Sequence, residues 1–524
     1  MKGFPLDGAP VAKQQYNPAG QDSITASFSA SVAFEPRIKL ANHSIRTKQG
    51  FFSRLKAAYS PASKCTKISL SEGYKLQDAS IRVAFEGYPI ELSMGKKLRL
   101  HLYPEQALGN PEPQDNLNFI LFNPDQYFSG ISGFLRLVKG DHLVLGREDE
   151  LQRNIFDYPH SVSKRHISIV HDGDALLFKG LDQETSTLLT PLKKEADFER
   201  IKNRRMENLH EIRKIFGGPI EPLSPEDALS DLVKINRLLE KEPLRKKNSE
   251  GMPGGVVKLP KKMIPIILGD LHAQVDNLLT LLSHNEFLEI MGDGKAAMVF
   301  LGDAVHSEMD GELENMESSL LMMDLIFKLK LWFPQQVFYV RGNHDSFSAE
   351  IGKAGIPQGL LWSKTLKNIR GKAYKKAMER FYELLPYVAL SKDYVACHAA
   401  PPRGKVSMDM LVNIHKYPSL MEEMTCNRLY RPNRLAGYTR GDVKRFRNSL
   451  ELGKNAELFV GHTPLTRHDT LWMNVGGIAH HDVVFSGNIP WIGLFTRVNG
   501  HIIPMKYRSE PLLQIINGLN VESD

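Results

Sequence analysis

From Met263 onward the chain alternates short, unbroken apolar runs with longer segments of helical period. Ile264–Leu268, Ala297–Leu301, Gln336–Val340, Tyr394–Cys397 and Leu458–Val460 have the length and composition of strands buried on both faces. Between them, Leu320–Phe333 and Lys372–Leu384 place apolar residues every three or four positions and read as helices. This alternation predicts an α/β domain over residues 262–510. In such a layer arrangement, ligands sit outside the carboxyl ends of the strands.

Residues 85–195 have another texture. Alternating stretches such as Leu98–Leu102 and Phe134–Val138 recur between turn signals such as Lys139-Gly140-Asp141 and His171-Asp172-Gly173-Asp174, which predicts an all-β sandwich. Residues 196–260 are dense in mixed charge. Leu229, Leu232, Val233, Ile235, Leu238 and Leu239 fall at helical spacing, so this segment reads as a helical connector broken at Gly217-Gly218-Pro219. A Gly/Pro stretch from Gly251 to Pro260 separates it from the α/β region. Residues 1–60, rich in Ser, Ala, Gly and Pro, read as a tail or loosely attached segment. The whole is multidomain.

Composition narrows the class. Apolar residues make up 42% and charged residues 24% of 524, which excludes global disorder. No apolar run approaches the ~18 residues of a membrane span. Three cysteines (Cys65, Cys397, Cys426) exclude a disulfide scaffold and fit a reducing compartment, the cytoplasm, including that of a host cell reached by a bacterial protein. A net charge of +7 over this length is mild, and no block of like charges marks a nucleic-acid tail.

The residues after each predicted strand carry the chemistry. The first strand leads into Gly269-Asp270-Leu271-His272, the second into Gly302-Asp303 and the third into Gly342-Asn343-His344-Asp345. The fourth ends at His398, and the fifth runs into Gly461-His462-Thr463. Carboxylate and amide oxygens with imidazole nitrogens are the donors a pair of divalent cations needs, and separate strand ends can converge where no single helix could.

The run GDLH, GD, RGNHD, H, GHT resembles the PPP-type metallophosphatases, within the calcineurin-like metallophosphoesterase fold, a β-sandwich flanked by helices. The resemblance implies that Asp270, His272 and Asp303 hold one metal. Asp303 then bridges to a second, held also by Asn343, His398 and His462, and His344 is the general acid. The implied cofactors are two divalent ions, Mn, Fe or Zn. The implied reaction is attack of a two-metal-activated hydroxide on a phosphomonoester, with His344 protonating the leaving oxygen.

The chain departs from the Ser/Thr branch of that family, which reads GDxVDRG and GNHE. His306 stands where a carboxylate usually orients the catalytic histidine, which suggests Asp310 as a substitute partner for His344. Ser307 replaces a phosphate-clamping Arg. Arg403, Arg428, Arg431 and Arg434 are candidates to rebuild the clamp, Arg431 first. Tyr430, Tyr438 and Trp472 are candidate aromatic walls. Substrate choice stays open among phosphoserine, phosphothreonine and phosphotyrosine.

Within the β-rich region, Leu143–Arg147 followed by Ser163-Lys164-Arg165-His166 resembles the forkhead-associated (FHA) domain, a phosphothreonine-peptide reader. An Arg, a Ser hydroxyl and a Lys at neighbouring loop tips make a phosphate cradle. The resemblance gives Arg147, Ser163 and Lys164 that role and His166 the bracing of the loop, with Thr187 in place of the family's Asn. The combined expectation is a phosphoprotein phosphatase recruited by a phosphopeptide-binding module. A nucleotide-polyphosphate hydrolase of the same fold, or a decayed phosphate-binding adaptor, are the alternatives. The expected partner is a phosphorylated protein, with no nucleic acid and no membrane span.

Overall fold

The structure, a computed structural model, describes residues 67–108, 117–431, 436–466 and 469–519. The tail predicted over residues 1–60, Cys65 and Arg434 lie outside the described residues. Among the described residues no helix is long and apolar enough to cross a membrane.

The N-terminal strands are β1 (Lys67–Ile68), β2 (Tyr74–Leu76), β3 (Ser80–Ala84), β4 (Ile90–Met94), β5 (Leu98–Pro104), β6 (Phe119–Phe122), β7 (Phe134–Leu137), β8 (His142–Leu145), β9 (Ile167–His171), β10 (Ala175–Gly180) and β11 (Thr187–Pro191). They make a five-stranded sheet, β1-β3-β10-β9-β8, and a six-stranded sheet, β2-β11-β4-β5-β6-β7. In β4 the side chains alternate strictly, Ile90, Leu92 and Met94 buried and Glu91 and Ser93 half-buried, as period-2 patterning requires. Strands β1 to β3 precede residue 85 and belong to these sheets, so the β region starts earlier than its densest pattern.

The segment expected to connect the two halves is helical, but it is built into the C-terminal part. Helix Pro225–Glu240 starts at Ser224, whose hydroxyl caps Asp227 N–H, with Pro225 in the first turn where no hydrogen bond is lost. It buries Leu232, Ile235 and Leu239. The Asn236 amide donates to the Ala377 carbonyl at 2.8 Å, on helix Gly371–Leu384. Within the Gly/Pro stretch, Pro253–Lys258 forms strand β13, after β12 (Arg245–Lys247), and pairs in parallel with β17 (Val388–Leu390).

The remaining strands are β14 (Ile264–Leu268), β15 (Ala296–Phe300), β16 (Val337–Tyr339), β18 (Tyr394–Cys397), β19 (Glu457–Val460), β20 (Leu471–Trp472), β21 (His481–Val484), β22 (Trp491–Val498) and β23 (His501–Arg508). They form a seven-stranded sheet, β12-β13-β17-β18-β19-β21-β20, and a five-stranded sheet, β16-β15-β14-β22-β23. The two sheets face each other across Ile267, Val299, Phe338, Ala396 and Phe459. Their outer faces, through Leu268, Met298 and Phe300 on one side and Val395, Leu458 and Val460 on the other, pack under helices. Burial on both faces explains the unbroken apolar runs.

The N-terminal sandwich is docked on the β22–β23 hairpin. Asn499, at the hairpin turn, donates to the carbonyls of Asn154 and Ile155 at 3.2 and 3.1 Å and accepts from the Gln126 amide at 3.3 Å. The Arg136 guanidinium donates to the Lys506 carbonyl at 2.9 Å while pairing with Glu105 at 2.6 Å. Apolar side chains of both parts form one continuous core.

Candidate metal centre

Parallel pairing brings the predicted motifs together. β14, β15 and β16 run side by side in one sheet, and β18 and β19 in the other, so their carboxyl ends open on one rim. Asp270, His272, Asp303 and His398 are buried there, and Asn343, His344 and His462 are half-buried toward the opening. Donor atoms of Asp270, His272 and Asp303 lie within 4.8 Å of one another, as do those of Asp303, His398 and His462. Asp303 is common to both groups. Asn343 Oδ1 lies 2.9 Å from His398 Nε2.

The turns that deliver these groups are held in an uncommon conformation. His272, Asp303 and His462 have φ of 43°, 50° and 62°, the left-handed region, which costs a residue with a Cβ of order 1 kcal/mol. Gly302, at φ 95°, packs so close to Gly342 that a side chain there would collide with backbone. Hydrogen bonds pin the rest. Asp303 Oδ1 accepts from His344 N–H at 2.7 Å, and Asp270 Oδ2 accepts from His462 N–H at 2.9 Å. Asp345 accepts from Gly342 N–H at 2.7 Å and from the Tyr339 hydroxyl at 2.8 Å, while that hydroxyl accepts from Ala304 N–H at 3.0 Å.

Electrostatics fit a site for cations. Burial drives Asp270 up to about 6 against the opposing pull of His398. Burial also pushes Asp303 upward, but the rings of His398, His344 and His272 outweigh it and hold that carboxyl below its usual range. Burial alone would lower His398; Asp303 and Asp270 instead raise it to about 9. His462 is kept neutral by burial, and its buried Nε2 has no hydrogen-bond partner among the described residues. A neutral, unpartnered imidazole nitrogen beside two buried carboxylates is the donor set a divalent cation takes. His398 Nδ1 faces the Leu301 carbonyl at 2.8 Å, which leaves Nε2 turned inward as a ligand nitrogen.

The partner of His344 differs from the one expected. Asp310 is exposed. Instead, His306 Nδ1 lies 3.0 Å from His344 Nδ1, and His306 is fully buried. Burial pushes His344 down to about 4. Ser307 is buried, its hydroxyl donating to Glu312 at 2.9 Å.

The candidate clamp residues separate. Arg403 is exposed, and its Nε is tied to Glu423 at 2.8 Å. Arg431 lines a small cavity with Tyr438, Gly461 and Thr463, next to His462. Arg428 lies near enough for its charge to depress the His462 imidazole, after burial and His398. Tyr438 and Trp472 are core residues, whereas Tyr430 is exposed. Sequence reading missed Glu308, which sits 3.9 Å from His272 Nε2 and pairs with Lys353 at 2.8 Å. Its place just after the second motif was the only signal.

In the N-terminal sandwich, Arg147 N–H donates to the Ser163 carbonyl at 3.1 Å and Glu148 N–H to the Lys164 carbonyl at 3.0 Å, so Arg147, Ser163 and Lys164 lie on adjoining loops. The Ser163 hydroxyl lies 3.1 Å from His166 Nδ1, and the Thr185 hydroxyl lies at the same distance from that nitrogen. Thr187 is a buried residue of β11, paired with Met94 and Leu76; Thr185 is the one at the loop.

Residues 265–492 match the family described as calcineurin-like phosphoesterase. The C-terminal half carries a calcineurin-like phosphoesterase domain. No curated protein matches the chain. Among solved structures, a protein serine/threonine phosphatase from Saccharomyces cerevisiae, with similarity to human phosphatase PP5, is 18% identical, with a TM-score of 0.40 over 55% of this chain and 90% of that one. A cold-active protein tyrosine phosphatase of the psychrophile Shewanella sp. is 15% identical, with a TM-score of 0.31 over 48% of this chain and 82% of its own. The phosphoesterase family implies divalent metals, and the two Asp/His clusters at the rim are groups that can bind them.

Proposed function

We propose that residues 262–510 are a metal-dependent phosphoric monoester hydrolase acting on phosphoproteins, with the N-terminal sandwich as an FHA-like module that binds a phosphothreonine-containing partner. One observation carries the catalytic part: donors from separate strand ends meet within 4.8 Å of one another in two groups sharing Asp303, beside His344. Asp270, His272 and Asp303 would hold one cation, and Asp303, Asn343, His398 and His462 the other. Divalent cations there supply water activation and offset phosphoryl charge, and Mn, Fe and Zn all suit mixed oxygen and nitrogen donors.

The chain's own residues do the rest. Asp303 fixes the His344 backbone, and His306 engages Nδ1, which leaves Nε2 of His344 to deliver a proton to the leaving oxygen. Arg431, which lines the cavity beside Gly461, would orient a phosphoryl oxygen, with Arg428, whose charge reaches His462, as the other candidate. At the other module, Arg147, Ser163 and Lys164 would contact the partner's phosphate.

A panel of phosphoserine, phosphothreonine and phosphotyrosine peptides plus a dinucleotide polyphosphate, assayed with added Mn, tests the reading. Phosphate release from peptides is expected. Cleavage of the dinucleotide alone, or inert protein after metal reconstitution, overturns it. Turnover retained in both Asp303→Ala and Asn343→Ala removes the site assignment. Because the sandwich shares a core with the β22–β23 hairpin, the recruiting role is tested by Arg147→Ala. This variant should lose phosphothreonine-peptide binding and keep turnover of an aryl phosphate.

A further inference from the structure

The catalytic groups occupy one rim shared by the two facing sheets; the opposite rim of the seven-stranded sheet holds a groove of about 550 Å³ that the reaction does not use. Ser391 and Lys392 precede β18 and Glu451 and Leu452 precede β19, whose far ends lead to His398 and His462. At ~3.3 Å per residue, these four-residue strands put about 13 Å between the rims.

The groove has a mixed character. Leu452 and Met408, both half-buried, supply the accessible apolar lining; Leu259, Leu390 and Leu450 also border the groove but are buried. Lys246, Lys258, Lys261 and Lys392 surround it, against Glu451 as the single acid. Lys258, Lys261 and Lys392 are exposed, and none of the four lysines is paired with any described residue. Some exposed lysines elsewhere find acids, Lys295 with Asp293 and Lys416 with Glu250. Ser391, only 2% exposed, lines the groove with a hydroxyl that has no hydrogen-bond partner among the described residues.

We propose that this groove docks an acidic segment of a partner protein, with an apolar side chain on Leu452 and Met408, carboxylates on the lysines and the Ser391 hydroxyl satisfied by the bound chain. Charge complementarity selects the sign of the occupant, and the apolar lining selects a peptide. A free phosphate or a nucleic acid strand would leave Leu452 and Met408 uncovered. The proposal does not depend on the catalytic reading.

Fluorescence anisotropy on the full chain, with a fluorescein-labelled peptide alternating Glu and Leu, tests it. Binding that weakens with salt is expected. Lys258→Glu with Lys392→Glu should weaken it at least about tenfold, and replacing the peptide's Leu by Ser about threefold or more. Lys246→Glu with Lys261→Glu serves as a second pair, and Lys372→Glu, on a distant exposed helix position, should change nothing. An unchanged urea-denaturation midpoint in the paired variants shows that the fold is intact. Affinity unmoved by both pairs, no binding at about 1 mM peptide, or equally tight binding of a single-stranded DNA oligonucleotide overturns the proposal.

Discussion

His306 and His344 face each other through their Nδ1 atoms at 3.0 Å, inside a site where most other donors are carboxylates or lie against them. Two such nitrogens share one proton, so one ring donates and the other accepts. The contact therefore fixes the tautomer of each ring as well as its orientation. His306 Nε2 is buried and has no partner among the described residues, so nothing but His344 competes for this ring's hydrogen bond.

Truncating His306 should leave the half-buried His344 with its Nδ1 unsatisfied and its ring free to rotate. His306→Ala is expected to lower kcat for an aryl phosphate about 10–100-fold with little change in KM. His306→Asp, which restores an acceptor of known competence at that place, should recover most of the loss. Steady-state kinetics of both variants at saturating metal checks this. A KM effect without a kcat effect would contradict the positioning role.

The arginines give a contrast. Arg403 spends its guanidinium on Glu423, so Arg403→Ala should leave KM within about twofold, in line with the small worth of exposed ion pairs. Arg431→Ala should raise KM about tenfold or more, since a charge-assisted contact to phosphate contributes about 1.5–3 kcal/mol. Initial rates across a range of aryl phosphate concentrations distinguish the two. Equal effects would relocate the clamp, with Arg428 the next residue to replace.

Tyr339 ties the third strand end to the second. Its hydroxyl donates to Asp345 at 2.8 Å and accepts from Ala304 N–H at 3.0 Å, all three residues buried. Tyr339→Phe leaves a carboxylate oxygen and a backbone N–H without partners, at a cost of about 1–3 kcal/mol each way of counting. Urea denaturation should show a lower midpoint with an unchanged slope, since the compactness of neither state is altered.

Far from the metal centre, His481 is fully buried with Nε2 2.8 Å from the Tyr438 hydroxyl. Burial pushes it down to about 4 from the ordinary 6.5, so over that interval the unfolded chain takes up a proton that the folded chain refuses. This contribution to stability is complete above about pH 6.5 and lost as pH falls toward 4. His481→Gln, which does not titrate, should lose less melting temperature between pH 7.5 and pH 5 than the parent protein. Thermal scans of the pair measure the difference.

The strands and the ligand-type residues were legible because two-sided burial writes itself as unbroken apolar runs. Runs such as Ala297–Leu301 mark both a strand and its end. The helices were legible to within a few residues, Leu320–Phe333 appearing as Glu317–Trp332. What escaped depends on chain paths no period records. Glu308 reaches His272 through a turn, and His306 meets His344 across two strand ends. Pro253–Lys258 reads as a breaker yet forms a strand, because Gly254 and Gly255 let the 411–414 backbone and side chains approach within reach. The unpaired lysines of the rear groove are unremarkable one by one in the sequence; only folding gathers them.

Asn499 fastens the N-terminal sandwich to the β22–β23 hairpin through the carbonyls of Asn154 and Ile155, a few residues beyond the Arg147 loop. A phosphopeptide seated at that loop would thus be presented from a fixed mount rather than on a slack leash. The number of residues between a recruiting phosphate and the one to be cleaved then becomes a selection rule. Partners whose two sites are too near together to bridge the mount would be refused, however well each site fits alone.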